Sequence, residues 1–291
     1  MVAVMTPTRP SPEPRPRWLK AADGVVLRLD EWGDDGRPPV CFAHGFGQTR
    51  HAWHGTAQQL ARNGYHCHTA DGRGHGDSGW VNGGSYTLDQ FVDDATRLAG
   101  QCKQAPVWVG ASMGGLLGMI AATEIEDLRL RALVLVDITP RWETRGVERI
   151  MAFMRSHPHG FASVHEAQDA VRAYLPHRAN DQNPERLRKL LVPTGNGRLR
   201  WHWDPALLET VAAESARWSD RLVTAARQLR LPVLLISGGR SELVSERTVA
   251  EFQQLVPHAE HRCIADATHM VAGDANDRFT EVILDYLNRL P

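Results

Sequence analysis

Residues 110–115 read Gly-Ala-Ser-Met-Gly-Gly, after the apolar run Val107–Gly110 and before Met113–Thr123, a stretch of small residues with helical spacing. A G-x-S-x-G between a strand and a helix drives the serine into strained backbone and exposes its hydroxyl. Glycines at 110, 114 and 115 let strand and helix approach without a clash. The helix N-terminus then favours a developing negative charge. The chemistry is nucleophilic attack on a carbonyl by Ser112; the bland alternative is a packing turn with an inert serine. His44-Gly45-Phe46-Gly47 follows a second apolar run, Val40–Ala43. That turn can aim the Phe46 N–H at the same oxyanion, with the Met113 N–H as the other donor. His44 is itself a substrate-side candidate, though a histidine here more often orders the loop. His269, between the strand His261–Ile264 and the last helix, is the expected general base. Its carboxylate partner has three candidates. Asp137 closes the run LVLVD, 25 residues after Ser112. Glu242 lies in Gly238-Gly239-Arg240-Ser241-Glu242-Leu243, and Asp266 sits three residues before His269. Asp137 is preferred, with Glu242 the alternative. The carboxylate would hold the imidazole tautomer and stabilise the imidazolium.

Other residues carry less. Asp71-Gly72-Arg73-Gly74-His75-Gly76-Asp77-Ser78 reads as a tight structural loop in which Arg73 and Asp77 pair. It lacks the lysine of a phosphate loop and the dinucleotide fingerprint. His66-x-His68 puts two imidazoles on one strand face, a spacing that can bind metal. No carboxylate is evident beside them in the sequence, so they are read as structural and no metal site is assigned. His51 and His54 open a helix and read as surface or cap-contacting residues. Trp201 and Trp203, in Trp-His-Trp-Asp-Pro, either line a substrate pocket or anchor a lid. Cys41, Cys67, Cys102 and Cys263 form no C-x-x-C pair and read as buried reduced thiols.

The elements that must position these groups alternate. Strand patterns fall at Val25–Trp32 (an antiparallel edge), Val40–Ala43, Tyr65–Ala70, Val107–Gly110, Leu133–Asp137, Val233–Ser237 and His261–Ile264. Helical patterns fall at Ala52–Asn63, Leu88–Ala99, Met113–Thr123, Ser245–Leu255 and Asn276–Leu290. The alternation predicts an α/β fold, a doubly wound and mostly parallel sheet. Between two central strands, residues 141–213 show helical periodicity (Val147–Arg155, Val164–Tyr174, Pro184–Leu190) without strong strands. They read as a helical cap over the sheet edge where ligands bind. The core is then 18–140 plus 214–291, and 1–17 is a disordered Pro/Arg-rich tail.

The 291 residues are 42% hydrophobic and 23% charged, with a net charge of −1. Neither a fibrous nor a wholly disordered chain has that balance. The near-zero charge speaks against nucleic-acid or anionic-membrane partners. No apolar run approaches bilayer length and the N-terminus does not read as a signal peptide, so a cytoplasmic protein is expected. The expected partner is a small-molecule substrate; nothing points to a cofactor, and the pattern leaves the oligomeric state open.

Together, HGFG (44–47), DGRGHGDS (71–78), GASMGG (110–115), LVLVDITP (133–140), GGRSELVS (238–245) and ATHMVAGD (267–274) resemble the α/β-hydrolase fold superfamily over residues 18–291. The resemblance implies Ser112 as nucleophile, His269 as base, and Phe46 and Met113 as oxyanion donors. The sequence departs from the commonest pattern at Ser241, where an Asp is usual. It is similar in this to members whose acid ends the preceding central strand, which points to Asp137. The implied activity is a serine hydrolase acting on a carboxylic ester, lactone or thioester. The alternatives are perhydrolase or C–C hydrolase chemistry on the same residues, or a catalytically inactive ligand-binding protein.

Overall fold

The computed structural model describes residues 12–176 and 183–291, with 210–217 described in backbone only. Most of the expected tail, residues 1–11, lies outside the described residues. Ten strands are described: β1 (Arg15–Lys20), β2 (Val26–Trp32), β3 (Pro39–Ala43), β4 (His66–Ala70), β5 (Val107–Ala111), β6 (Ala132–Val136), β7 (Leu191–Pro193), β8 (Leu199–Trp201), β9 (Val233–Gly238) and β10 (Glu260–Ile264). The helices are α1 (His54–Arg62), α2 (Leu88–Gly100), α3 (Met113–Glu124), α4 (Thr144–Arg155), α5 (Val164–Tyr174), α6 (Pro184–Arg188), α7 (Ala206–Gln228), α8 (Glu246–Leu255), α9 (Val271–Asp274) and α10 (Asn276–Arg289).

Eight strands form one sheet in the order β1-β2-β4-β3-β5-β6-β9-β10. Neighbours from β4 to β10 pair in parallel, and β2 pairs antiparallel with both β1 and β4. The expected doubly wound sheet is therefore present. Its central strands are apolar throughout because both faces are covered. Val40, Phe42, Val107, Val109, Val134 and Ile236 pack with α1 and α10 on one face. Cys41, Trp108, Leu133, Leu135, Val233 and Leu235 pack with α2, α3, α7 and α8 on the other. A two-residue alternation along each strand thus feeds two separate cores.

Four expectations need correction. First, β1 begins at Arg15, inside the expected tail, and pairs with β2 from Arg15↔Glu31 to Lys20↔Val26. β1 is thus the edge, a place where Pro16 is tolerated, and β2 lies one strand inside it. Second, residues 141–213 are not purely helical. They include the β7–β8 hairpin, and Phe161 bridges to Leu199 beside it. The expected boundary at 213/214 also falls inside the continuous helix α7. Third, Cys41 and Cys67 are buried as expected, but Cys102 is half-buried and Cys263 exposed; all four are free thiols. Fourth, Arg73 and Asp77 do not pair. Arg73 holds Asp94 through Nε and Nη2 at 2.6 and 2.7 Å and Asp23 through Nη1 at 2.6 Å. Asp77 pairs with Arg50 at 2.9 Å.

The Arg73 contacts tie the 71–78 loop to α2, and both Arg73 and Asp94 are buried. Burial pushes the Asp94 carboxyl up while Arg73 pulls it down. Removing the cation leaves a buried carboxylate without compensation. Arg73→Met is expected to lower the unfolding free energy by about 3–5 kcal/mol, read from urea denaturation at neutral pH; a loss within 0.5 kcal/mol, about that of a neutral surface change, would contradict it.

Candidate active site

Ser112 occupies the junction between β5 and α3 with φ 47° and ψ −120°, backbone that a side chain rarely adopts. Its N–H is held by the Val136 carbonyl at 3.0 Å, so the strained residue is tied to β6. The glycines around it are sterically required. A Cβ on Gly110 would lie 2.3 Å from the Gly114 backbone, and one on Gly114 would lie 2.4 Å from the Ala43 carbonyl oxygen. α3 therefore starts close against β3 and β5, and Ser112 sits at its first turn.

Asp137 follows β6 and also carries a positive φ, 51°. Its carboxylate is fully buried. Oδ1 accepts from the Gly238 N–H at 2.8 Å, and Oδ2 lies 2.8 Å from His269 Nδ1. Oδ2 also accepts from the Ser241 hydroxyl. Two donors in addition to the imidazole hold the carboxylate in one orientation. His269 Nε2 and the Ser112 hydroxyl make no hydrogen bond among the described residues. The His269 side chain is 21% exposed, reachable from solvent but seated. Its loop is tied down by Asp274, whose Oδ2 accepts from the Thr268 N–H at 2.8 Å.

The competing carboxylates lie elsewhere. Glu242 is half exposed and paired with Arg149 of α4. Asp266 is exposed and faces Arg240 and Arg278 at 3.7 and 3.6 Å. Neither touches His269 among the described contacts. Ser241 stands where the resemblance places an Asp. Here it donates to Asp137 and accepts from the N–H groups of Leu243 and Val244 at 3.1 and 3.0 Å. Sequence reading noticed the departure but not this role.

The family model described as "alpha/beta hydrolase fold" matches residues 38–275. The chain belongs to the α/β-hydrolase fold family. A 3-hydroxybutyrate-oligomer hydrolase of Cupriavidus necator is 29% identical over 84% of this chain and 86% of its own length. Esterase Rv0045c of Mycobacterium tuberculosis is 28% identical over 94% and 90%. Among solved structures, E-2-(acetamidomethylene)succinate hydrolase superposes with a TM-score of 0.77 at 25% identity, covering 95% of this chain and 100% of that one.

In this α/β hydrolase the 44–47 loop is held by three buried histidines, of which the sequence singled out only His44. His44 Nδ1–H donates to the Gly45 carbonyl at 2.8 Å, and its Nε2 accepts from the Gly72 N–H at 2.8 Å. Both ring nitrogens are used within the protein, so His44 orders the loop. His75 Nε2 accepts from the Gly47 N–H at 3.1 Å while its Nδ1–H donates to the Arg73 carbonyl at 3.0 Å. His202 Nδ1 accepts from the Gly76 N–H at 2.8 Å and its Nε2–H donates to the Gly47 carbonyl at 3.3 Å. Gln48 adds a bond to the Gly45 N–H at 3.1 Å and reaches the Met270 sulfur, beside His269. The Phe46 and Met113 N–H groups have no hydrogen-bond partner among the described residues.

Trp201 and Trp203 are buried and stacked, with ring centroids 5.0 Å apart. Trp203 lies against Gly47, and Trp201 against Phe153 and Phe161. Between and after them, His202 bonds the 44–47 and 71–78 loops, and the Asp204 N–H donates to the Gly74 carbonyl at 2.8 Å. The contacts of this stretch run to the 44–47 and 71–78 loops. His51 and His54 are exposed, as expected.

Each of the three histidines accepts one backbone N–H, which only a neutral ring can do. Burial pushes all three down from the usual 6.5, His75 well below that value and His202 to about 4; His44 and His202 add to the lowering of His75, His44 to that of His202, and Arg50 to that of His44. The unfolded chain takes up protons near pH 6.5 that the folded chain refuses. Stability is therefore full above pH 6.5 and falls as pH drops from there through about 4. At about 1.4 kcal/mol per pKa unit, His202 alone accounts for roughly 3 kcal/mol. Urea midpoints should be flat from pH 7 to 8 and fall steeply between 6.5 and 4, with a shallower fall in His202→Asn. Equal slopes in the two proteins would contradict this.

Proposed function

We propose that the chain hydrolyses a small or medium carboxylic ester, lactone or thioester through an acyl-enzyme on Ser112. The observation that carries this reading is the bond from His269 Nδ1 to the buried Asp137 carboxylate, one residue after the Val136 carbonyl that holds the strained Ser112 N–H. That bond fixes the Nδ1–H tautomer and leaves Nε2 as the basic nitrogen. Relatives named esterase and oligomer hydrolase support ester chemistry.

The steps follow from those groups. Ser112 Oγ attacks the carbonyl carbon as its proton passes to His269 Nε2, and the carbonyl π pair moves onto oxygen. The oxyanion accepts from the unpartnered N–H groups of Phe46 and Met113; losing one such donor costs about 10²–10³ in rate. The tetrahedral intermediate expels the alcohol or thiol, which takes the proton from Nε2, and Ser112 is acylated. Water then attacks, giving its proton to Nε2. The second intermediate releases the acid, and Oγ recovers the proton. Asp137 stays ionised throughout and stabilises the imidazolium. The segment after β6, expected as the cap, is tied to the 44–47 loop by His202 in this reading.

Turnover of a p-nitrophenyl ester series from acetyl to long acyl tests the proposal. Ser112→Ala should lower kcat by about 10⁶ and Asp137→Asn by about 10⁴. Glu242→Gln, which loses a surface ion pair to Arg149, should stay within about twofold. Wild-type turnover that survives in Ser112→Ala, or a larger loss in Glu242→Gln than in Asp137→Asn, would overturn the assignments.

A further inference from the structure

The two histidines of β4 have a carboxylate beside them that the sequence did not reveal. The register of β2 and β4 places Glu31 opposite His68. His66 Nε2 and Glu31 Oε1 are 2.8 Å apart, and the His66 and His68 rings meet edge to face with centroids 4.4 Å apart. One donor atom from each of Glu31, His66 and His68 lies within 4.8 Å of the others, and all three residues are more than nine-tenths buried. His66 and Glu31 satisfy one another. His68 Nε2 is buried with no hydrogen-bond partner. A buried polar atom left without a partner calls for an explanation, and here it belongs to a good metal ligand beside two others.

We propose that Glu31, His66 and His68 bind a divalent transition-metal ion of the Zn²⁺ class, clamping β2 to β4. Two imidazoles and one carboxylate form a recognised zinc donor set, which leaves a fourth position for water. Nitrogen donors disfavour Mg²⁺ and Ca²⁺, and the Cys102 thiol beside His68 adds to the soft character of the surroundings. Tetrahedral Zn²⁺ with ligands at about 2.0–2.1 Å separates its donors by about 3.3 Å. The Glu31–His66 contact opens slightly to reach that spacing and the wider pairs close. The ion replaces the hydrogen bond between His66 Nε2 and Glu31 Oε1, and the neutral His66 ring then carries its N–H on Nδ1. Arg17 Nε bonds Glu31 Oε2 at 2.7 Å, which orients the carboxylate and leaves Oε1 for the metal. Arg15 and Arg17 oppose a cation here, but both are about half exposed and screened by water.

The site is separate from the Ser112 centre and linked to it through the backbone. Asp30, next to Glu31, pairs with Arg50 at 2.9 Å, and Arg50 also bonds Asp71, three residues after His68. Gly72, next along, holds His44. A metal at β2–β4 therefore stiffens the frame on which the 44–47 loop rests.

Zn²⁺ titration of the metal-stripped full chain by calorimetry tests the proposal, with Mg²⁺ as control. The expected result is one Zn²⁺ per chain at micromolar affinity or tighter, a thermal midpoint raised by saturating Zn²⁺, and no Mg²⁺ binding. His68→Ala should weaken binding at least about tenfold and abolish the thermal shift. Glu31→Gln should do the same and keeps hydrogen bonds to Arg17 and His66, so it carries the comparison if His68→Ala fails to fold by circular dichroism. Absence of Zn²⁺ binding to the wild type overturns the proposal. Unchanged affinity in folded Glu31→Gln does so too, because it places the ion elsewhere.

Discussion

The distance between α3 and the sheet governs the candidate site. Gly110 and Gly114 exist as glycines because a single Cβ on either would collide with backbone at 2.3–2.4 Å. Closing that gap forces Ser112 to φ 47°, and the cost of the strained residue is met by burying α3 against β3, β5 and α2. The same closeness brings the start of the helix, with the unpartnered Met113 N–H, beside the 44–47 loop. There a Cβ on Gly45 would lie 3.1 Å from Ser112 Cβ.

Around that contact the protein organises buried polar groups in two different ways. Asp137 is an acceptor surrounded by donors: an imidazole, a hydroxyl and an amide. His44, His75 and His202 are neutral rings, each accepting from one backbone amide and donating to one carbonyl. The first arrangement holds a buried carboxylate in one orientation beside the His269 imidazole. The second positions glycine-rich backbone, which has no side chains of its own to pack. Both work because every buried partner is present, and the acid sensitivity of the histidines is the cost of using titratable rings as supports.

The parts of this site that a reader of the sequence can find are those set by local rules. Ser112 is legible because the elbow is six consecutive residues whose glycines have one steric purpose. The apolar runs of β3, β5, β6 and β9 are legible because both sheet faces are covered. The choice between Asp137 and Glu242 is not local: both follow parallel strands at the same sheet edge. What separates them is the positive φ of Asp137 and the turn after β9, which directs Ser241 inward and Glu242 out to Arg149. His202 supports a loop more than 150 residues earlier in the chain, and Glu31 meets His66 only through strand pairing. No spacing rule reaches that far. β1 was hidden by prolines and arginines that an edge strand accepts but a central strand does not.

The central claim is that Ser112 is an activated nucleophile, and covalent labelling tests it without knowledge of the natural substrate. The wild-type chain would be treated with a fluorophosphonate, digested and sequenced by tandem mass spectrometry. The account predicts one phosphonylated residue, Ser112, with labelling abolished in Ser112→Ala and slowed by orders of magnitude in His269→Ala. A folded wild-type chain that leaves Ser112 unlabelled, or that labels it equally fast without His269, would contradict it.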